Sequence, residues 1–72
     1  MTSTPADRAR FQELERRIWL CMRLGDRAHR DGDPMKCSRA TQLAAKIARQ
    51  ARELAAEIRE RNEELTLIEE QR

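Results

Sequence analysis

Apolar positions in the first part of the chain fall at Phe11, Leu14, Ile18, Cys21, Gly25 and Ala28, alternating steps of three and four. That spacing returns to one side of an α-helix and predicts an amphipathic helix with a coiled-coil-like seam. The helix has a clear start. In Thr4-Pro5-Ala6-Asp7 a capping hydroxyl is followed by a proline at the first helical position and an acid at the third, where it answers both the cap and the helix dipole. It also has a clear stop. In Asp31-Gly32-Asp33-Pro34 the glycine can take the left-handed conformation that ends a helix, Asp33 offers a new capping carboxylate, and Pro34 suits the next helical start. Beyond Pro34 no glycine or proline interrupts the chain, and Leu43, Ile47, Ala51, Leu54, Ile58 and Leu65 continue the helical period. Leu43, Leu54 and Leu65 recur every eleven residues, a period that favours a nearly straight or slightly right-handed seam. Ala44, Ala45, Ala48, Ala55 and Ala56 widen this face with small side chains that let a neighbouring helix approach closely.

Two long amphipathic helices joined by a tight turn predict an all-α fold, an antiparallel two-helix hairpin occupying residues 1–72 as one domain. Helix 1 is expected over about 5–31, the turn over 31–34 and helix 2 over about 34–70. Folding about Gly32 puts Cys21 opposite Ala44 and Thr4 opposite Arg61. At 1.5 Å per residue helix 1 is about 42 Å long and helix 2 about 55 Å, so Leu65, Leu67 and Ile68 overhang. The run Ile18-Trp19-Leu20-Cys21-Met22 points nearly all round helix 1, and one partner helix cannot cover it. Dimerisation into a four-helix bundle would cover both regions. The expected dimer and hairpin core is Phe11, Leu14, Ile18, Cys21, Leu43, Ile47, Ala51, Leu54, Ile58 and Leu65. Composition agrees with this: apolar and charged residues each make up 39% of 72 residues, with one Phe, one Trp and no Tyr, a balance that suits long helices better than a sandwich. A chain this short has a marginal core of its own, which again favours oligomerisation.

The net charge of +2 hides a strong asymmetry. Residues 34–52 hold Lys36, Arg39, Lys46, Arg49 and Arg52 with no acid, whereas residues 53–72 hold seven Glu against three Arg. Arg39, Lys46 and Arg49 fall on one side of helix 2, and Glu53 and Glu57 continue that side. This polarity suits antiparallel self-association. It is equally the pattern of a solvated face laced with helix-stabilising pairs such as Glu13 with Arg17, Asp26 with Arg30 and Glu57 with Arg61. The amino terminus has no basic segment followed by an apolar one, and no stretch approaches the roughly 20 apolar residues that span a bilayer. A cytoplasmic chain with no membrane association is expected.

Enzymatic chemistry has no support in the pattern. His29 is the one histidine, and there is no glycine-rich phosphate loop, nucleophile elbow or zinc-protease signature. Adjacent acids such as Glu63 and Glu64 point to different sides of a helix and do not form a catalytic pair. Cys21 and Cys37 fall too far apart along the hairpin to bridge. His29, Cys37, Asp31 and Asp33 gather near the closed end, but without a Cys-x-x-Cys pair or a second histidine they read as structural. No cofactor and no metal are expected.

These features point to a binding module. Trp19, Leu20, Met22 and Leu24 broaden the apolar arc of helix 1 beyond its seam. With Arg39, Lys46 and Arg49 they are the candidate contacts for another protein, since Trp and Met are enriched in such interfaces. Nucleic acid is the alternative partner class. The outline resembles ROP-like plasmid RNA-binding hairpins, but the acids are interspersed with the bases, and Phe11 and Trp19 are the sole aromatics for stacking. A structural adaptor in a larger assembly is a third reading. From Thr4 to Arg72 the short, catalytically empty hairpin also resembles the small proteins by which phages seize host factors, such as quorum-sensing anti-activators and some anti-CRISPR proteins. That resemblance implies an inhibitor that binds a host regulator and blocks or redirects it by steric occupation.

Overall fold

A computed structural model describes residues 3–71 as two helices, α1 (Pro5–Arg30) and α2 (Pro34–Glu70), with no strand among them. They pack as an antiparallel hairpin measuring 62 × 18 × 12 Å. The all-α hairpin expected from the apolar spacing is present, with α1 ending one residue earlier than expected at Arg30.

Both helix boundaries at the closed end are local chemistry. The Gly32 N–H donates to the His29 carbonyl at 3.1 Å and the Asp33 N–H to the Ala28 carbonyl at 2.9 Å. Gly32 is left-handed, with φ 73°. This is the paired bonding of a Schellman motif, which satisfies the last carbonyls of α1. Asp33 then serves α2 as well. Its carboxylate accepts from the Lys36 N–H at 3.1 Å and its carbonyl from the Cys37 N–H at 3.1 Å. One residue therefore closes α1 and caps α2. At the open end Thr4 and Asp7 form a reciprocal capping box, each side chain accepting from the other's backbone N–H at 3.1 Å and 3.0 Å respectively.

Between the two ends runs a narrow seam. Cys21, Gly25 and Ala28 of α1 and Ala40, Ile47, Leu54 and Ile58 of α2 are buried. Phe11, Leu14, Ile18, Ala44, Ala48, Ala51 and Ala55 are half-buried beside them. Small residues at the closed end let the helices close together. A Cβ built on Gly25 would sit 3.5 Å from the Ala40 Cβ and 4.0 Å from the Cys37 carbonyl oxygen, ordinary contact distances. Leu43 and Leu65, which the spacing assigns to the core, lie outside this intrachain seam and are 49% and 52% exposed. Near the closed end Ala40 and Ala44 take the contact with α1, and Leu43, about 60° round the helix from Ala40 and about 100° from Ala44, stands on the flank beside Leu24. Leu65 lies past the end of α1.

Asp7 carries a second duty. Arg61 of α2 donates to its carboxylate, so the acid that caps α1 also ties the open end of the hairpin shut. That bond, followed by the Thr4 backbone N–H, holds the Asp7 carboxyl at about 2, below its usual 3.8. Arg61 is thereby committed to Asp7 rather than to Glu57. The pair of Glu13 with Arg17 is present at 3.1 Å and is joined by Arg16 at 2.8 Å.

Two outcomes follow from this architecture. At fixed protein concentration Gly25→Ala should raise stability by about 0.5–1 kcal/mol, since the added methyl fits and mid-helix glycine is costly. Gly32→Ala should lower it by about 1 kcal/mol through the left-handed backbone. Thermal melts followed by circular dichroism decide both. For Asp7, a carboxyl held lower in the fold than in the unfolded chain stabilises the fold wherever it is ionised. Its contribution is complete well above 3.8 and is lost as the pH falls from there toward 2. Glu13, also held at about 2, by Arg16 and then Arg17, titrates in the same window. The comparison is therefore between variants. Asp7→Asn should melt lower than the parent at neutral pH and lose less of its melting temperature on acidification to about pH 2.5.

Candidate functional site

The surface of the hairpin is where its large apolar side chains are found. Trp19, Leu20, Met22, Leu24, Met35, Leu43, Leu65, Leu67 and Ile68 are 40–67% exposed, whereas Ile47, Leu54 and Ile58 are the large aliphatics in the buried set. A folded monomer of 8.5 kDa is expected to expose about 4,700 Å², and this chain exposes 6213 Å². The excess, about 1,500 Å², is roughly twice the ~800 Å² that each partner contributes to a standard protein–protein interface.

Helical geometry divides the candidate residues among three surfaces. Consecutive residues are about 100° apart around the axis, so Leu20 is turned away from Trp19 and Met22, which stand about 60° from each other. On one flank of the hairpin Leu24, Arg27 and Asp31 of α1 border a shallow groove with Lys36, Arg39 and Leu43 of α2. This flank brings together Leu24 and Arg39 from the predicted contact set, and Leu20 lies next to Leu24 along α1. Further toward the open end the same flank carries a groove of about 560 Å³ lined by Arg10, Glu13 and Arg17 opposite Gln50, Glu53 and Glu57.

The opposite flank holds Met22. It borders Cys21, Gly25, Asp26, His29, Cys37, Thr41 and Ala44. Both cysteines face this groove as free thiols, with Cys37 level with Ala28 and Cys21 about 10 Å further along the hairpin. Among the described residues no cluster of three or more His, Cys, Asp or Glu could hold a metal ion. Trp19 occupies the third surface, the back of α1 away from α2. The Arg23 guanidinium lies over its ring, 4.7 Å from the centroid, a cation–π contact that shields one face and leaves the indole 56% exposed. Lys46 and Arg49 are both exposed on α2. Lys46 follows Arg39 on the Leu24 flank, and Arg49 is turned about 60° further round the helix.

Sequence reasoning did not single out Gln50, Glu53 and Glu57 as one side of a groove opposite Arg10 and Arg17, because that requires the register of the hairpin. No described helix is long and apolar enough to cross a membrane. No protein family matches the chain, and neither a curated protein nor a solved structure is found to be similar to it.

Proposed function

We propose that this chain is a non-enzymatic protein–protein interaction module, a helical hairpin that pairs with a second copy and binds a partner protein, which it inhibits or redirects by occupying its surface. The observation that carries this reading is the inverted placement of bulk: nine large apolar side chains stand outside a seam built substantially from alanine, glycine and cysteine. Exposed apolar area on that scale marks interaction surfaces. The three surfaces divide the work. The Leu24–Leu43 flank suits a second copy. The back of α1 presents Trp19, a rigid amphipathic side chain of the kind that dominates interface energetics. Steric occupation fits a small hairpin of this kind, as in the phage proteins whose outline it resembles.

The test uses the tagged full chain as bait in a lysate of its source, half of it treated with nuclease. The expected result is one protein retained in stoichiometric amount, insensitive to nuclease, and reduced about tenfold or more by Trp19→Ala while helicity by circular dichroism is unchanged. Arg49→Glu should weaken retention further in low salt. Retention unchanged in both variants overturns the assignment of the surface. Loss of all bound material on nuclease treatment replaces it with nucleic-acid binding, for which the bases of residues 34–52 would be the contact.

A further inference from the structure

Past its Asp33 cap, the charges of α2 run against its own dipole. Peptide dipoles make the N-terminus of a helix positive and its C-terminus negative, so acids favour the first turn and bases the last. In α2 the first turn has no acid and the last turn no base. Lys36 and Arg39 stand near its start, and Glu63, Glu64, Glu69 and Glu70 near its end. A helix on its own loses stability by this arrangement. Two such helices lying antiparallel gain, because each basic half meets the other's acidic half.

α1 supplies only part of that complement: Arg10 and Arg17 border the groove opposite Glu53 and Glu57 without an ion pair to either. Its charges are mixed along its length, seven arginines with four acids over Pro5–Arg30, and the interhelical ion pair described above joins an acid of α1 to a base of α2. The complement that fits α2 is another α2. Helical geometry selects the face: Arg39, Leu43, Lys46, Gln50, Glu53, Glu57 and Glu64 fall within an arc of about 80° beside the seam. This is the flank that carries the grooves lined by Leu24 and by Arg17. If two copies slide past one another until Lys46 meets Glu57 of the second copy, Arg39 meets Glu64 and Met35 meets Ile68. Gln50 and Glu53 then straddle the two-fold axis.

The same register solves the overhang. The last turns of the second copy's α2 come to lie along the closed end of the first, where Leu24 and Met35 are 61% and 67% exposed. Leu65, level with Ser38 and one turn from Leu24, and Ile68, level with Met35, are each 52% exposed with no α1 beside them and reach those two side chains. Parallel or tail-to-tail pairing instead sets the glutamates of one overhang against those of the other, a like-charge contact that costs stability.

We propose that two copies pair through this flank with their α2 helices antiparallel, Lys46 against Glu57, and the overhang of each laid along the closed end of the other, Leu65 beside Leu24 and Ile68 against Met35. The proposal rests on the self-association in the proposed function and fixes its register. Trp19 and Met22 stay outside the pairing surface.

Sedimentation equilibrium of the full chain at low salt tests it. The parent chain should be dimeric. Lys46→Glu and Glu57→Lys should each weaken the dimer by about tenfold or more, because each contact occurs twice and reversal makes both repulsive. An equimolar mixture of the two variants should recover the parent affinity, since every contact in the heterodimer is attractive again. Leu65→Glu, outside the intrachain seam, should give a helical monomer. Single variants that dimerise like the parent, or a mixture no tighter than its components, overturn the register. A parent chain that is monomeric at every concentration overturns self-association itself, and partner capture through Trp19 is then judged separately.

Discussion

A helix packed against one neighbour can hide only one stripe of its surface, and the two helices here are unequal, 26 residues against 37. These two facts govern the rest of the molecule. The stripe is narrow, so Ile58, Leu54 and Ile47 are buried while most other large apolar side chains are left over. The inequality strands the last turns of α2 without an intrachain partner. What looks like an excess of exposed hydrophobic surface is therefore a geometric consequence of putting so much apolar bulk on so few helices.

The hairpin is held differently at its two ends. The closed end relies on backbone bonds through Ala28, Gly32 and Asp33, which satisfy helix termini and set the direction of the turn. The open end relies on one charge-assisted contact, Arg61 to Asp7, built on an aspartate already committed to a capping box. Between them the seam is short of bulk, and Gly25 against Ala40 marks the close approach. Specificity of pairing therefore comes from the ends and from the spacing of small residues more than from interlocking large ones.

What was legible in the sequence was whatever depends on near neighbours. Thr4, Asp7, Gly32 and Asp33 announce their roles because capping and turn chemistry act over three or four residues. The helical period likewise located both helices and most of the seam. Leu43 shares the eleven-residue recurrence with Leu54 and Leu65 but stands outside the intrachain seam: it lies about 40° round α2 from Ile47, and which side α1 covers is set by how the two helices meet, not by the period of either one. Arg61 shows the same limit. Its neighbour four residues back, Glu57, is visible in the sequence, whereas Asp7 is 54 residues away. The candidate contact set was legible as a list and not as a surface, since Trp19, Leu20 and Met22 diverge around α1.

Because Asp33 both terminates α1 and caps α2, the turn contains no spare residue. Adding or removing one there would rotate all of α2 by about 100° and exchange its buried stripe for a charged one. Past its last contact with α1 the helix carries no such constraint, and a residue added or removed beyond Asn62 leaves the buried stripe in place. The molecule is in this sense a gauge with a fixed zero at the turn, from which every facing along α2 is counted.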